Sequence, residues 1–203
     1  MMTSDLIKNA SSLAYRYYGN RRRKYSGESY YQHARDVARL SKVIGLSDEL
    51  IATAFIYNIH SYSLVKSDEV IETLNQKCYT YILELTNYDG NPSLWLSDLT
   101  EVSVESRLIV LCITCVELSS FGMIHTKNMG PNTYSEQWLK KKRLQIDTIN
   151  QSLLKDDINE SLYKESFQSL TVVLEHMYTT ANNLFDYYTL LNQSKLPSKP
   201  HLS

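Results

Sequence analysis

Six glycines and four prolines are all that punctuate 203 residues, and the apolar side chains between them recur at the three- and four-residue spacing of amphipathic helices. Alternation with a period of two survives nowhere for more than a few residues, so a sheet has nothing to build on. The chain is predicted to be all-α. Ser4-Asp5 opens a first helix with Leu6, Ala10, Leu13 and Tyr17 on one stripe, stopped by Gly19. A basic loop over 20–28 leads to a second helix, capped by Ser29, with His33, Val37, Leu40 and Ile44 facing inward and Gly45 at its end. Ser47, Asp48 and Glu49 start a third that carries Leu50, Ile51, Ala54, Phe55 and Asn58 inward. Short helices follow from Ser67 and over Cys78–Thr86, with turn chemistry over Asn87–Pro92. Ser103–Ser120 is apolar nearly all round, the pattern of a central buried helix. Residues 126–134 are predicted to loop over a cleft, helices to fill 135–154 and 158–191, and a disordered tail to occupy 194–203. Residues 1–193 are thus expected to form a single domain.

A net charge of -1 gives no field that would gather nucleic acid or an anionic membrane, so any anion site must be local. Cys78, Cys112 and Cys115 form neither an even framework nor a CxxC pair, which fits buried reduced thiols. Met-Met-Thr-Ser-Asp lacks the order of a signal peptide, and no apolar run approaches about 18 residues. The expectation is a cytoplasmic protein. Sixteen tyrosines stand against four phenylalanines, so many rings should be half-buried with the hydroxyl reaching water or a partner.

The stretch Arg23-Lys24-Tyr25-Ser26-Gly27-Glu28-Ser29-Tyr30-Tyr31-Gln32-His33 has the makings of a phosphate-handling metal site: cations, a glycine turn, and a histidine just inside a helix. A bland reading stands beside it, in which His33 is a core histidine and Arg21 to Lys24 a solvated loop. Cys112 and Cys115 read most simply as small hydrophobes. Lys140 to Arg143 reads as the wet face of a helix carrying Trp138, Leu139, Leu144 and Ile146, and Glu105 and Glu117 as a helix-start carboxylate and a partly buried polar contact, neither with a catalytic role.

Helix, basic loop, then Arg23-Lys24-Tyr25-Ser26-Gly27-Glu28, Tyr30, His33 and Val37-Ala38 resembles the N-terminal hydrolase domain of the RelA/SpoT family. Those HD-superfamily enzymes remove the 3′ pyrophosphate from guanosine tetra- and pentaphosphate. The likeness covers about residues 5–125, and the later helices share only general helical character. It implies an HD-domain bundle of about 8–10 helices, of the small stand-alone hydrolase type. By this resemblance Arg23 and Lys24 fall on the basic pair that contacts guanine and phosphates, with Ser26 and Tyr30 beside them, and His33 falls on the first metal ligand. The family's His-Asp pair falls on Tyr57-Asn58, its water-orienting Glu-Asp pair on Ser61-Tyr62, its last metal-ligating aspartate on Cys115, and a later asparagine on Ser119.

Phenol, amide and thiol do not replace imidazole and carboxylates around a hard divalent ion, and without the metal the bound water is not activated. The first expectation is therefore a pseudo-hydrolase, without metal or other cofactor, that binds a guanosine polyphosphate or related nucleotide as a sensor or regulator. A second reading is a divergent metal-dependent phosphohydrolase with a site rebuilt from His33, Asn58, His60 and Cys115, a donor set that suits zinc better than manganese. A third is a helical interaction module whose tyrosines meet a protein partner or a second copy of the chain. None of the three involves nucleic acid or a membrane.

Overall fold

The computed structural model describes residues 4–23, 27–62, 65–90, 96, 99–122, 133–156, 158 and 162–194, with backbone alone at 61–62, 87–90, 100, 133–134 and 191–194. Its elements are α1 (Asp5–Tyr18), α2 (Tyr30–Val43), α3 (Asp48–Ile56), α4 (Ile59–Tyr62), α5 (Ser67–Thr73), α6 (Gln76–Gly90), a 3-10 turn (Leu99–Glu101), α7 (Val104–Ser119), α8 (Thr133–Lys155) and α9 (Lys164–Ser194). Among the described residues there is no strand, only one isolated bridge between Arg22 and Ser29. The fold is all-α.

Serine side chains start three of these helices. Ser29, Ser47 and Ser103 each accept a hydrogen bond from the backbone N–H three residues on, satisfying a donor the helix itself leaves open. Ser4 precedes α1 without a side-chain cap. Gly19 and Gly45 adopt positive φ (40° and 81°) where α1 and α2 end. Ser103 is itself fixed, because its Oγ donates to Glu84 Oε2 of α6 at 2.7 Å.

α7 is the centre. Every residue from Ser106 to Val116 is buried, and α2, α3, α6, α8 and α9 pack around it. α3, also buried along its length, is held between α1 and α2. One cluster of buried side chains runs from Ile7 in α1 to Ala181 in α9.

Several boundaries and faces differ from the sequence expectation. The inner stripe of α1 is Ile7, Ala10, Leu13, Ala14 and Tyr18, so Tyr18 is buried and Tyr17 only partly. α3 stops at Ile56, and Tyr57-Asn58 form a turn before α4, although Asn58 does point inward at 4% exposure. α6 continues through Asn87 to Gly90, because helix hydrogen bonding persists where composition suggested a turn. α9 begins at Lys164 rather than 158 and reaches Ser194. The proposed loop over 126–132 and the tail from 195 lie outside the described residues. No helix among the described residues is long and apolar enough to cross a membrane.

Candidate functional site

The described ends of the basic loop pair with each other and turn one arginine inward. Arg23 N–H donates to Glu28 O (2.8 Å) and Gly27 N–H to Arg23 O (2.9 Å), a tight return for which Gly27 adopts φ 69°. Arg22 stays on the rim and donates to Gly27 O at 2.9 Å. Its neighbour Arg23 points the other way, and only 19% of its side chain is exposed.

There it meets residues from two helices and, through one of them, a third. Arg23 Nη1 donates to His33 Nδ1 of α2 at 2.5 Å, and Nη2 donates to Glu117 Oε1 of α7 at 3.2 Å. The second oxygen of Glu117 accepts from Lys142 Nζ of α8. Glu28 Oε2 lies 3.9 Å from Arg23 Nη1 and 4.0 Å from His33 Nδ1. Lys142 is further held by Gln145 Oε1 (3.4 Å) and by the ring of Trp138, whose centroid is 5.5 Å from Nζ.

Protonation in the cluster follows from these contacts. A guanidinium has no acceptor, so Nδ1 of His33 must accept and the neutral ring carries its proton on Nε2. Burial and then the Arg23 charge disfavour a second proton, holding the pKa at about 3 against an ordinary 6.5. Nε2 is buried with no hydrogen-bond partner among the described residues. For Glu117, burial by itself raises the pKa, but Lys142 and Arg23 outweigh it and hold the carboxyl at about 2. Burial pushes Glu28 up, with Arg23 opposing.

The remaining sequence candidates divide between this cluster and other places. Tyr57 is buried and stands edge-on to His33, ring centroids 6.4 Å apart. Asn58 Oδ1 accepts from the Tyr18 hydroxyl at 2.6 Å. Tyr30 is half-buried, with its ring 6.4 Å from that of Tyr18. His60 faces away, edge-on to Tyr79 of α6 at 6.0 Å, and burial lowers its pKa. Cys115 is 4% exposed, and burial pushes its thiol up to about 11. Ser119 is exposed and donates to Val116 O at 2.7 Å. Lys24 and Ser26 lie outside the described residues, as do the side chains of Ser61 and Tyr62.

These donors do not fit a divalent ion. The Nδ1 of His33 accepts from a guanidinium whose positive charge repels a metal. Asn58 is engaged by Tyr18, and His60 is turned toward α6. Among the described residues no group of three or more His, Cys, Asp or Glu side chains is arranged to hold a metal.

Glu117 is the partly buried polar contact expected of it, whereas Lys142 is placed differently from the expectation. Lys142 belongs to the inner face of α8 with 12% of its side chain exposed, while Leu144, taken as apolar interior, is 64% exposed. The signal was present in the spacing, since Leu139, Lys142, Ile146 and Ile149 form one stripe at three- and four-residue intervals. A separate cavity of about 220 Å³ lies against α7 and α8, lined among others by Leu99, Arg107, Ser152 and Asp156, and it shares no residue with the cluster. Arg107 is 3% exposed and donates to Ser152 Oγ (3.1 Å) and to Asp156 Oδ2. No protein-family model matches the chain, and no curated protein matches it.

Proposed function

We propose that this chain is a catalytically silent relative of the HD-superfamily guanosine polyphosphate hydrolases, which binds a nucleotide polyphosphate without cleaving it and acts in the cytoplasm as a sensor or regulator. The observation that carries the reading is the contact between Arg23 and His33. A cation on the imidazole nitrogen leaves no lone pair for a metal there and no route to a metal-bound hydroxide. The same cation, with Lys142 close by across Glu117, gives the site an anion-binding character. Tyr30, at the start of α2, supplies a half-buried ring near the loop on which a base can stack.

The test is the metal content of purified protein together with calorimetric titration of guanosine tetraphosphate, with and without manganese. Binding that needs no metal and is lost in Arg23→Ala supports the proposal. One equivalent of tightly held metal with pyrophosphate release refutes it. A second reading, the helical interaction module, is favoured by the exposed apolar side chains Val172, Tyr187 and Leu190 on α9. Absence of nucleotide binding in either condition favours that module.

A further inference from the structure

We infer that Glu117 is a built-in competitor for the anion site: its carboxylate sits where Arg23 and Lys142 converge, and a pyrophosphate group binds there by displacing it. The inference deepens the nucleotide-binding reading and rests on it.

The geometry is that of a bridged oxyanion. Arg23 and Lys142 come from different parts of the fold, yet each takes a different oxygen of one carboxylate. With Glu117 swung out, the two cations Arg23 and Lys142 remain beside a neutral histidine, with the Glu28 carboxyl 3.9 Å from Arg23 Nη1. That charge matches a pyrophosphate moiety better than it matches a single carboxylate, because each unit of ligand charge adds to the attraction at short range. Glu117 has a way out, since 18% of its side chain is exposed and the ion can reach water.

Displacement would have a mechanical result. Glu117 ties α7 at once to the loop before α2 and to α8. Loss of the Glu117–Lys142 pair on binding releases one tie between α7 and α8, so occupancy of the site is read out as a loosening of α8. A ligand that breaks an internal pair binds more weakly than the bare cations would allow, which sets the threshold of a sensor.

The experiment compares inorganic pyrophosphate binding to the wild-type chain and to Glu117→Gln by calorimetry near neutral pH. The variant is expected to bind about tenfold more tightly, and Lys142→Gln in the Glu117→Gln background is expected to cancel the gain. Equal affinities in wild type and Glu117→Gln overturn the inference. If the wild type then still binds guanosine tetraphosphate, the nucleotide reading survives alone; if it binds neither ligand, both fall. Should Glu117→Gln not fold, as judged by near-UV circular dichroism, the wild type answers instead. Its Glu117 carboxyl carbon resonance is expected to move as pyrophosphate is added, and a resonance unmoved at saturation, or no saturation at all, overturns the inference.

Discussion

The hydroxyl of Tyr18 donates to Oδ1 of Asn58 at 2.6 Å, joining α1 to the two-residue turn between α3 and α4, and both side chains are buried. The contact gives a physical account of the amide at position 58. A carboxylate buried there would need a metal or a cation to neutralise it, whereas the amide accepts the phenol proton and stays neutral. Removing the hydroxyl strands that acceptor, so Tyr18→Phe is expected to cost about 1–3 kcal/mol. Urea denaturation measures it, and a midpoint equal to wild type would mean the bond contributes nothing. Asn58→Asp, which buries a charge, is expected to cost more.

Arg23 holds the cluster together. Arg23→Gln leaves Glu117 with Lys142 alone and removes the donor from His33 Nδ1, at an expected cost of about 3 kcal/mol. Adding Glu117→Gln should recover part of that loss, because the second change removes a charge the first left half-paired. A double-mutant cycle read by denaturation checks this, and strictly additive losses would show that the two groups do not interact.

Acid should act on the fold through the same residues. His33 takes up a proton at about 6.5 when unfolded but only at about 3 when folded, so stability falls as pH drops across that window. Glu117 moves from 4.5 to about 2 on folding, so its stabilisation is complete above 4.5 and is lost as pH falls toward 2. Each group contributes a slope of about 1.4 kcal/mol per pH unit within its window. His60, lowered by burial, acts in the same direction, while Glu28, raised by burial, opposes it. His33→Gln should therefore remove about one proton's worth of slope between roughly pH 6 and 5. Parallel stability curves for variant and wild type would contradict the assignment.

The three thiols should be silent in the folded protein. Cys78, Cys112 and Cys115 are free and buried, and burial pushes their pKa values to about 11, 12 and 11. A thiolate-specific reagent is expected to label none of them in native buffer and all three in denaturant. Fast labelling of Cys115 without denaturant would show that α7 is open near the cluster.

The helices were legible because their signals are local. Ser29, Ser47 and Ser103 cap where the residue types say they should, and Gly19 and Gly45 stop helices by backbone conformation alone. Burial of His33 and Asn58 was legible as well, since both fall on apolar stripes. The face of α1 was read one residue out, because Tyr17 and Tyr18 are chemically alike and only tertiary packing selects between them. Partnerships could not be read in the same way. Nothing within a few residues of Lys142 announces Glu117, and the four-residue basic run Lys140 to Arg143 reads as solvated although one of its members lies on the stripe with Leu139 and Ile146. Long-range ion pairs depend on which helices become neighbours, and helix spacing alone does not contain that.

α9 spans 31 residues, roughly 46 Å at the helical rise of about 1.5 Å, yet among its described side chains the last fully buried one is Ala181. Beyond that point Leu184, Phe185 and Tyr188 are only half-covered, and Tyr187 and Leu190 are exposed. The helix therefore has two cohesions along one backbone. Its first half cannot unwind without opening the core, while its second can melt turn by turn at little expense to the rest. Amide protons should exchange with solvent in a gradient that steepens past Ala181, and a protease should trim the helix back toward that residue while leaving the bundle intact.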